Sequence, residues 1–204
     1  MNRIVRTSVM VLVLWGAVRL GDRLAVQGAS AQVKIKPNRT PDCVYVPTPY
    51  DVVEKMLQMA NVKKTDVIYD LGCGDGRIIV QAAKKRGCRA VGYEIEPNRI
   101  REAYENIKKN KVEHLVEIRQ EDLFTADFSE ATVMGLYLLP GMMTKLLPKI
   151  EKLPPGTRIV AHDYGFHGIQ PDKVVTVTSN ETNVQHTLYL YTLPLKRQKQ
   201  PESE

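Results

Sequence analysis

Eight consecutive residues, Asp-Leu-Gly-Cys-Gly-Asp-Gly-Arg at 70–77, constrain the fold of this 204-residue chain more than any other feature. They follow an apolar run at 67–69 with the composition of a buried strand, and they open a stretch with helical spacing. Glycines at alternate positions let the backbone turn tightly and approach a ligand with no Cβ in the way. A glycine-rich turn between strand and helix is typical of α/β sheets that bind ligands at the carboxyl ends of their strands.

The rest of the chain alternates between strand and helix patterns. Helices are predicted at 49–60, 77–85, 98–110 and 142–153, and strands at 67–69, 90–93, 115–118, 131–138 and 158–161. Such alternation produces a parallel sheet with right-handed crossovers. Two more strands, at 173–178 and 185–192, are joined by a short turn and should pair antiparallel. The sequence therefore predicts a Rossmann-like, doubly wound α/β fold whose mostly parallel seven-stranded sheet ends in an antiparallel hairpin.

Two local details accompany this prediction. Thr48 has the chemistry of a helix N-cap, and Pro49 suits the first position of the first helix because its missing N–H has no partner there. Pro148 is expected to interrupt or kink the helix at 142–153.

The first 31 residues have the pattern of a targeting segment. Arg3 and Arg6 precede an apolar run at 8–18, and Ala-Ser-Ala at 29–31 resembles a cleavage site. The run is shorter than the roughly 20 residues that cross a bilayer. We expect a signal peptide or membrane-targeting segment, and hence a protein exported to the bacterial periplasm or an internal compartment, or anchored facing the cytosol. The predicted organisation is this segment at 1–31, a linker at 32–43, the main domain at 44–194 and a charged tail at 195–204.

Charge and cysteine content narrow the range of partners. The net charge is +6, but half of it lies in residues 1–31, where four arginines stand against one aspartate. No basic stripe with interleaved aromatic residues remains, so no nucleic-acid partner is expected. The three cysteines have neither the spacing of a disulfide framework nor that of metal ligands. No metal site is predicted.

Acidic residues end three successive predicted strands. Asp70 precedes the glycine loop, where a carboxylate would repel a pyrophosphate but suits an ammonium group. Glu94 ends the second strand, where an acid accepts hydrogen bonds from the two hydroxyls of a ribose. Asp122 follows the third strand and can accept a hydrogen bond from the exocyclic amine of adenine. With a G-x-G-x-G loop in place of the G-x-G-x-x-G of dinucleotide sites, these acids predict a ligand made of adenosine and an amino acid, without phosphates.

The glycine loop, the acid after the second strand and Glu-Asp-Leu at 121–123 resemble class I S-adenosylmethionine-dependent methyltransferases. Val-Pro-Thr at 46–48 and Leu-Leu-Pro at 138–140 are also similar to small bacterial relatives of the protein-lysine methyltransferases of mitochondrial carrier and ATP-synthase c subunits. The resemblance covers residues 44–194 and implies S-adenosyl-L-methionine as the cofactor. The cofactor-binding residues that it implies are Asp70, Gly72, Gly74 and Gly76 for the methionine part, Glu94 for the ribose and Asp122 for the adenine. Asp75 and Leu123 are further expected cofactor-binding residues.

The same resemblance implies an enzyme that methylates a protein lysine. The fourth strand ends in Tyr-Leu-Leu-Pro at 137–140, not in the Asn-Pro-Pro-Tyr of nucleobase methylators, so DNA or RNA base methylation is not expected. Tyr137 and Asp163 are the candidate catalytic residues, because a lysine acceptor must be placed and kept neutral. His162 and Tyr45 are further candidates on the acceptor side. Two alternatives stay open: a small-molecule methyltransferase, and a non-catalytic module that binds an adenosine ligand.

Overall fold

The computed structural model describes residues 40–198. The predicted targeting segment, most of the predicted linker and the end of the predicted tail lie outside these residues. Within the described part of the chain, no helix combines the length and the hydropathy that a bilayer crossing requires.

Helices and strands alternate along residues 40–173, largely as predicted. In chain order the elements are α1 (Tyr50–Met59), β1 (Val67–Leu71), α2 (Arg77–Arg86), β2 (Arg89–Tyr93), α3 (Pro97–Asn110), β3 (Val116–Arg119), β4 (Val133–Leu136), α4 (Pro140–Ile150), β5 (Arg158–His162), β6 (Ile169–Gln170), β7 (Lys173–Thr178), β8 (Gln185–Thr192) and β9 (Lys196–Arg197).

Seven of the strands form one sheet in the order β3-β2-β1-β4-β5-β8-β7. Strands β1 to β5 are parallel, whereas β8 runs antiparallel to both β5 and β7. This arrangement confirms the predicted fold, and the hairpin strands β7 and β8 have the predicted bounds. From β1 the chain adds β2 and β3 toward one edge of the sheet, and from β4 it adds the remaining strands toward the other edge. The crevice at the carboxyl ends of β1 and β4 is therefore where such a sheet binds a ligand.

The sheet is covered on both faces, which is why its central strands are apolar throughout. Helices α1, α2 and α3 contribute to one buried cluster, and α4 contributes to the other. Successive residues of a strand point to opposite faces. Thus Ile68 of β1 belongs to the first cluster and Tyr69 to the second.

The prediction that Thr48 caps α1 is wrong. The N-cap is Pro49, which makes no side-chain capping bond, and the first-turn N–H groups of Asp51 and Val52 donate to the carboxylates of Glu181 and Asp51. The Thr48 hydroxyl instead lies 3.0 Å from Nδ1 of His162, in the buried interior. A tertiary hydrogen bond has taken the place of the local one.

The interruption predicted at Pro148 is also wrong, since α4 continues through that residue to Ile150. The proline lies in the last turn, where its missing N–H removes a single helical hydrogen bond. Beyond the main sheet, β6 pairs antiparallel with β9. The beginning of the predicted charged tail is therefore part of the folded domain.

Candidate active site

A cavity of about 740 Å³ opens at the carboxyl ends of the parallel strands, within the size range of small-molecule sites. Of the predicted site residues, six line it: Asp70, Gly72, Glu94, Asp122, Leu123 and Tyr137. The other four, Gly74, Asp75, Gly76 and Asp163, lie outside the lining.

The three glycines of the loop all adopt left-handed backbone conformations, with φ of +77° at Gly72, +55° at Gly74 and +74° at Gly76. Residues with a Cβ are strained there. At Gly74 a Cβ would also lie 2.1 Å from Cε2 of Tyr45. The second glycine thus makes room for the Tyr45 ring, which in turn lines the cavity.

Asp70 lies at the cavity with only 3% of its surface exposed. Burial, and then the nearby charges of Glu94 and Asp75, raise the pKa of the Asp70 carboxyl well above its usual range. A positively charged ligand group beside it would restore the ionised form. This position therefore suits the ammonium group that the sequence predicted.

Glu94 holds the glycine loop in place while it lines the cavity. Its Oε2 accepts a hydrogen bond from the Gly74 N–H at 2.9 Å, and its Oε1 accepts from the N–H groups of Ile95 at 2.7 Å and Glu96 at 2.8 Å. A carboxylate offers about four acceptor positions. One position on Oε2 is left for a ligand hydroxyl, so a second ribose hydrogen bond must share an acceptor position with a backbone N–H.

Asp75 takes a different place from the one predicted. Its carboxylate forms a two-pronged ion pair with Arg77, whose Nε and Nη2 donate at 2.9 and 2.7 Å. Nη1 of Arg77 donates to the backbone carbonyl of Thr48 at 3.0 Å. Asp75 therefore acts through Arg77, which lines the cavity and anchors the segment before α1.

Part of the cavity wall comes from residues 40–46, which include the end of the predicted linker. Tyr45 lies above the glycine loop, and the Arg99 guanidinium is 4.8 Å from the centre of its ring. Tyr45, the aromatic residue directly before Val-Pro-Thr at 46–48, was the feature of the sequence that indicated this part of the wall. Arg77 and Arg99 were missed as site residues: Arg77 ends the motif at 70–77 but was not assigned a role, and no motif contains Arg99.

Tyr137 and Asp163, the two candidate catalytic residues, are brought together by the ends of β4 and β5. The Tyr137 hydroxyl donates to Oδ2 of Asp163 at 3.3 Å, and its ring packs on His162 with centroids 3.9 Å apart. Burial, and then the Asp163 charge, raise the pKa of Tyr137 to about 12. Tyr137 therefore keeps its proton at neutral pH, and of the two residues only Tyr137 lines the cavity.

Carboxyl groups outnumber guanidinium groups on the cavity wall. Among the lining residues that the structure describes, six carry carboxyl groups and two carry guanidinium groups: Asp42, Asp70, Glu94, Glu96, Glu121 and Asp122 against Arg77 and Arg99. This balance favours a cationic ligand or substrate over a phosphate-bearing one.

Residues 70–173, which contain the glycine loop and both candidate catalytic residues, match the ANTKMT methyltransferase domain family. The chain belongs to this family. A protein-lysine N-methyltransferase of Saccharolobus islandicus is 48% identical to this methyltransferase over 155 residues, which cover 75% of this chain and 95% of the relative. An ATP synthase c-subunit lysine N-methyltransferase of Xenopus laevis is 30% identical over 165 residues, which cover 78% and 72%.

Among solved structures, an RNA methyltransferase of Salinibacter ruber in complex with S-adenosyl-L-homocysteine matches this methyltransferase with a TM-score of 0.67 and 47% identity. The match covers 78% of this chain and 98% of that one. The methyltransferase prediction is confirmed, and with it S-adenosyl-L-methionine as the cofactor of the family. The glycine loop, the buried Asp70 and the remaining acceptor position on Glu94 fit that molecule.

Cofactor binding is expected to release a proton from Asp70. The pKa of its carboxyl is raised in the free protein, and an ammonium group beside it would lower that pKa. At pH values between the pKa of Asp70 in the complex and its pKa in the free protein, the affinity for S-adenosyl-L-homocysteine should rise with pH. Calorimetry in buffers of different ionisation enthalpy measures this proton release, which should disappear in Asp70→Asn. Equal proton release in the two proteins would contradict the assignment.

Proposed function

We propose that this methyltransferase transfers a methyl group from S-adenosyl-L-methionine to the ε-amine of a lysine in a protein substrate. The observation that carries the proposal is the pairing of an acid-lined cavity with a Tyr137–Asp163 hydrogen bond at its acceptor end. The 48% identity to a protein-lysine N-methyltransferase supports it.

S-adenosyl-L-methionine supplies a methyl group on a positively charged sulfur, which makes that methyl open to in-line attack by an amine. The protein has to hold this donor and align the nucleophile with it. Asp70 is placed for the ammonium group of the donor and Glu94 for its ribose. The glycine loop between them lets the backbone approach.

Below its ordinary pKa of about 10.4 the lysine amine carries a proton, which it has to release to the solvent to free the lone pair that attacks the methyl group. Partial burial at the cavity disfavours the charged ammonium form. The Tyr137 hydroxyl donates its own proton to Asp163, so the lone pairs of the phenol oxygen can accept an N–H of the neutral amine. Tyr137 thus orients the amine, and Asp163 fixes the orientation of Tyr137.

An RNA acceptor is the second candidate, because the Salinibacter ruber relative is described as an RNA methyltransferase. RNA binding depends on cations that neutralise phosphates. Of the six carboxyl groups of the cavity wall, those of Asp42, Glu96 and Glu121 are not assigned to the cofactor, and they oppose that contact. The charge of the site therefore favours the lysine.

The acceptor class is decided by transfer of a labelled methyl group. The purified protein is incubated with methyl-labelled S-adenosyl-L-methionine and a cell extract, and portions are then treated with protease or with ribonuclease. We expect label that resists ribonuclease, is released by protease and is recovered as methyl-lysine after acid hydrolysis. Label in RNA would support the second candidate, and label in extractable small molecules would support a small-molecule acceptor. Either result would overturn the proposal.

A further inference from the structure

Three potential metal-binding atoms converge where β5 meets β8. Nε2 of His162 lies 2.9 Å from Nδ1 of His186, which lies 3.1 Å from Oδ2 of Asp163. The third side of this triangle, from Nε2 of His162 to the same oxygen, measures 3.4 Å. Ligand atoms about 2.0–2.2 Å from one ion lie roughly 2.9–3.5 Å from one another in octahedral or tetrahedral geometry. All three sides of the triangle fall close to that range.

Neighbouring groups fix two of the three side chains through their other polar atoms. Nδ1 of His162 lies 3.0 Å from the Thr48 hydroxyl, and Oδ1 of Asp163 accepts from the Thr187 N–H at 2.9 Å. Metal ligands in proteins are commonly oriented in this way by an outer hydrogen-bond partner. Asp163 also adopts a left-handed backbone with φ of +58°, which few non-glycine residues do, and its N–H bonds the Thr187 carbonyl at 2.7 Å.

Hydrogen bonding alone accounts poorly for the triangle. Each side of the triangle needs a proton between its two atoms, and N–H groups on the two facing ring nitrogens can supply at most two of the three sides. Nε2 of His186 is buried and has no hydrogen-bond partner in the described structure. This nitrogen is unpaired whichever ring nitrogen of His186 carries the proton, so it does not distinguish an ion from a hydrogen-bonded cluster.

We propose that His162, Asp163 and His186 bind a divalent transition-metal ion of the zinc or cobalt class through these three atoms. Two imidazoles and one carboxylate suit Zn²⁺, Co²⁺, Ni²⁺ or Fe²⁺, whereas Mg²⁺ and Ca²⁺ prefer oxygen ligands. Within residues 40–198, no second group of three His, Cys, Asp or Glu side chains converges in this way. The ion would join β5 to β8 directly behind Tyr137, at the acceptor end of the cavity.

The test uses the untagged full-length protein, freed of metal with a chelator and titrated separately with Zn²⁺ and Co²⁺. Calorimetry should report one ion per chain, visible absorption should appear with Co²⁺, and the melting temperature should rise with either ion. His186→Ala should lose the site. Thr48→Val, which removes only the outer partner of His162, should weaken binding by roughly 10–100-fold. His114→Ala, at an exposed histidine before β3, should bind as the unchanged protein does.

The unchanged protein gives the decisive result on its own. If it binds neither ion stoichiometrically, the cluster is a hydrogen-bonded network and the proposal fails. The proposal also fails if His186→Ala retains affinity for S-adenosyl-L-homocysteine, and so is folded, yet binds metal as before. Should that variant not fold, Thr48→Val decides, because metal binding that it leaves unchanged contradicts the proposed geometry.

Discussion

Glu94→Ala is expected to weaken the binding of S-adenosyl-L-homocysteine by roughly 10–100-fold or more. Hydrogen bonds to charged groups are worth about 1.5–3 kcal/mol each, and about 1.4 kcal/mol corresponds to a factor of ten in affinity. The variant loses the acceptor for the ribose. It also leaves the Gly74 N–H without the carboxylate that holds the glycine loop. Calorimetric titration of the variant and the unchanged protein measures the difference.

Two further variants separate these contributions. Glu94→Gln keeps one acceptor oxygen and the size of the side chain, so its affinity should lie between those of the alanine variant and the unchanged protein. Glu121 also lines the cavity but is exposed. Glu121→Ala should therefore bind within about threefold of normal, because exposed charges are screened by solvent. A normal affinity in Glu94→Ala would remove the ribose assignment. Equal losses at both positions would mean that the overall charge of the cavity, and not one carboxylate, holds the ligand.

The cofactor end of the site was predictable because its signals are local. A glycine loop directly after a strand, with acids at the ends of successive strands, requires a parallel sheet and nothing else to bring those residues together. The structure accordingly places Asp70, Gly72, Glu94 and Asp122 on one cavity. The hairpin was equally clear, since alternation of residue types fixes both of its strands.

What was missed depends on contacts between distant parts of the chain. The hydroxyl of Thr48 bonds His162, 114 positions away, in place of the nearby helix terminus. Residues 40–46 reach the cavity wall because Arg77 anchors the carbonyl of Thr48 and Gly74 leaves room for Tyr45. None of these contacts follows from a periodic pattern of residue types in the sequence. Strands β6 and β9 have two residues each, too few for alternation to be visible.

At the acceptor end, the sequence indicated Tyr137 and Asp163 as candidate catalytic residues, but not the hydrogen bond that joins them. We expect Tyr137→Phe to slow methyl transfer by roughly 10–100-fold, the cost of about one hydrogen bond to a charged group. Its affinity for S-adenosyl-L-homocysteine should stay within about threefold. The phenylalanine ring keeps the packing on His162, so the change removes the hydroxyl that orients the amine and little else.

The matched control is Tyr164→Phe, because the Tyr164 ring stacks on that of Tyr137 with centroids 6.4 Å apart but is 38% exposed. Its turnover should remain normal. Asp163→Ala should slow transfer at least as much as Tyr137→Phe does, since it removes the acceptor of the same hydrogen bond and one ligand of the proposed ion. The double variant should then be little slower than Asp163→Ala alone, because residues that act as a unit do not have additive effects. If the losses multiply in the double variant, the two residues act independently. If Tyr137→Phe has normal turnover, the shape of the cavity and not the Tyr137 hydroxyl orients the amine.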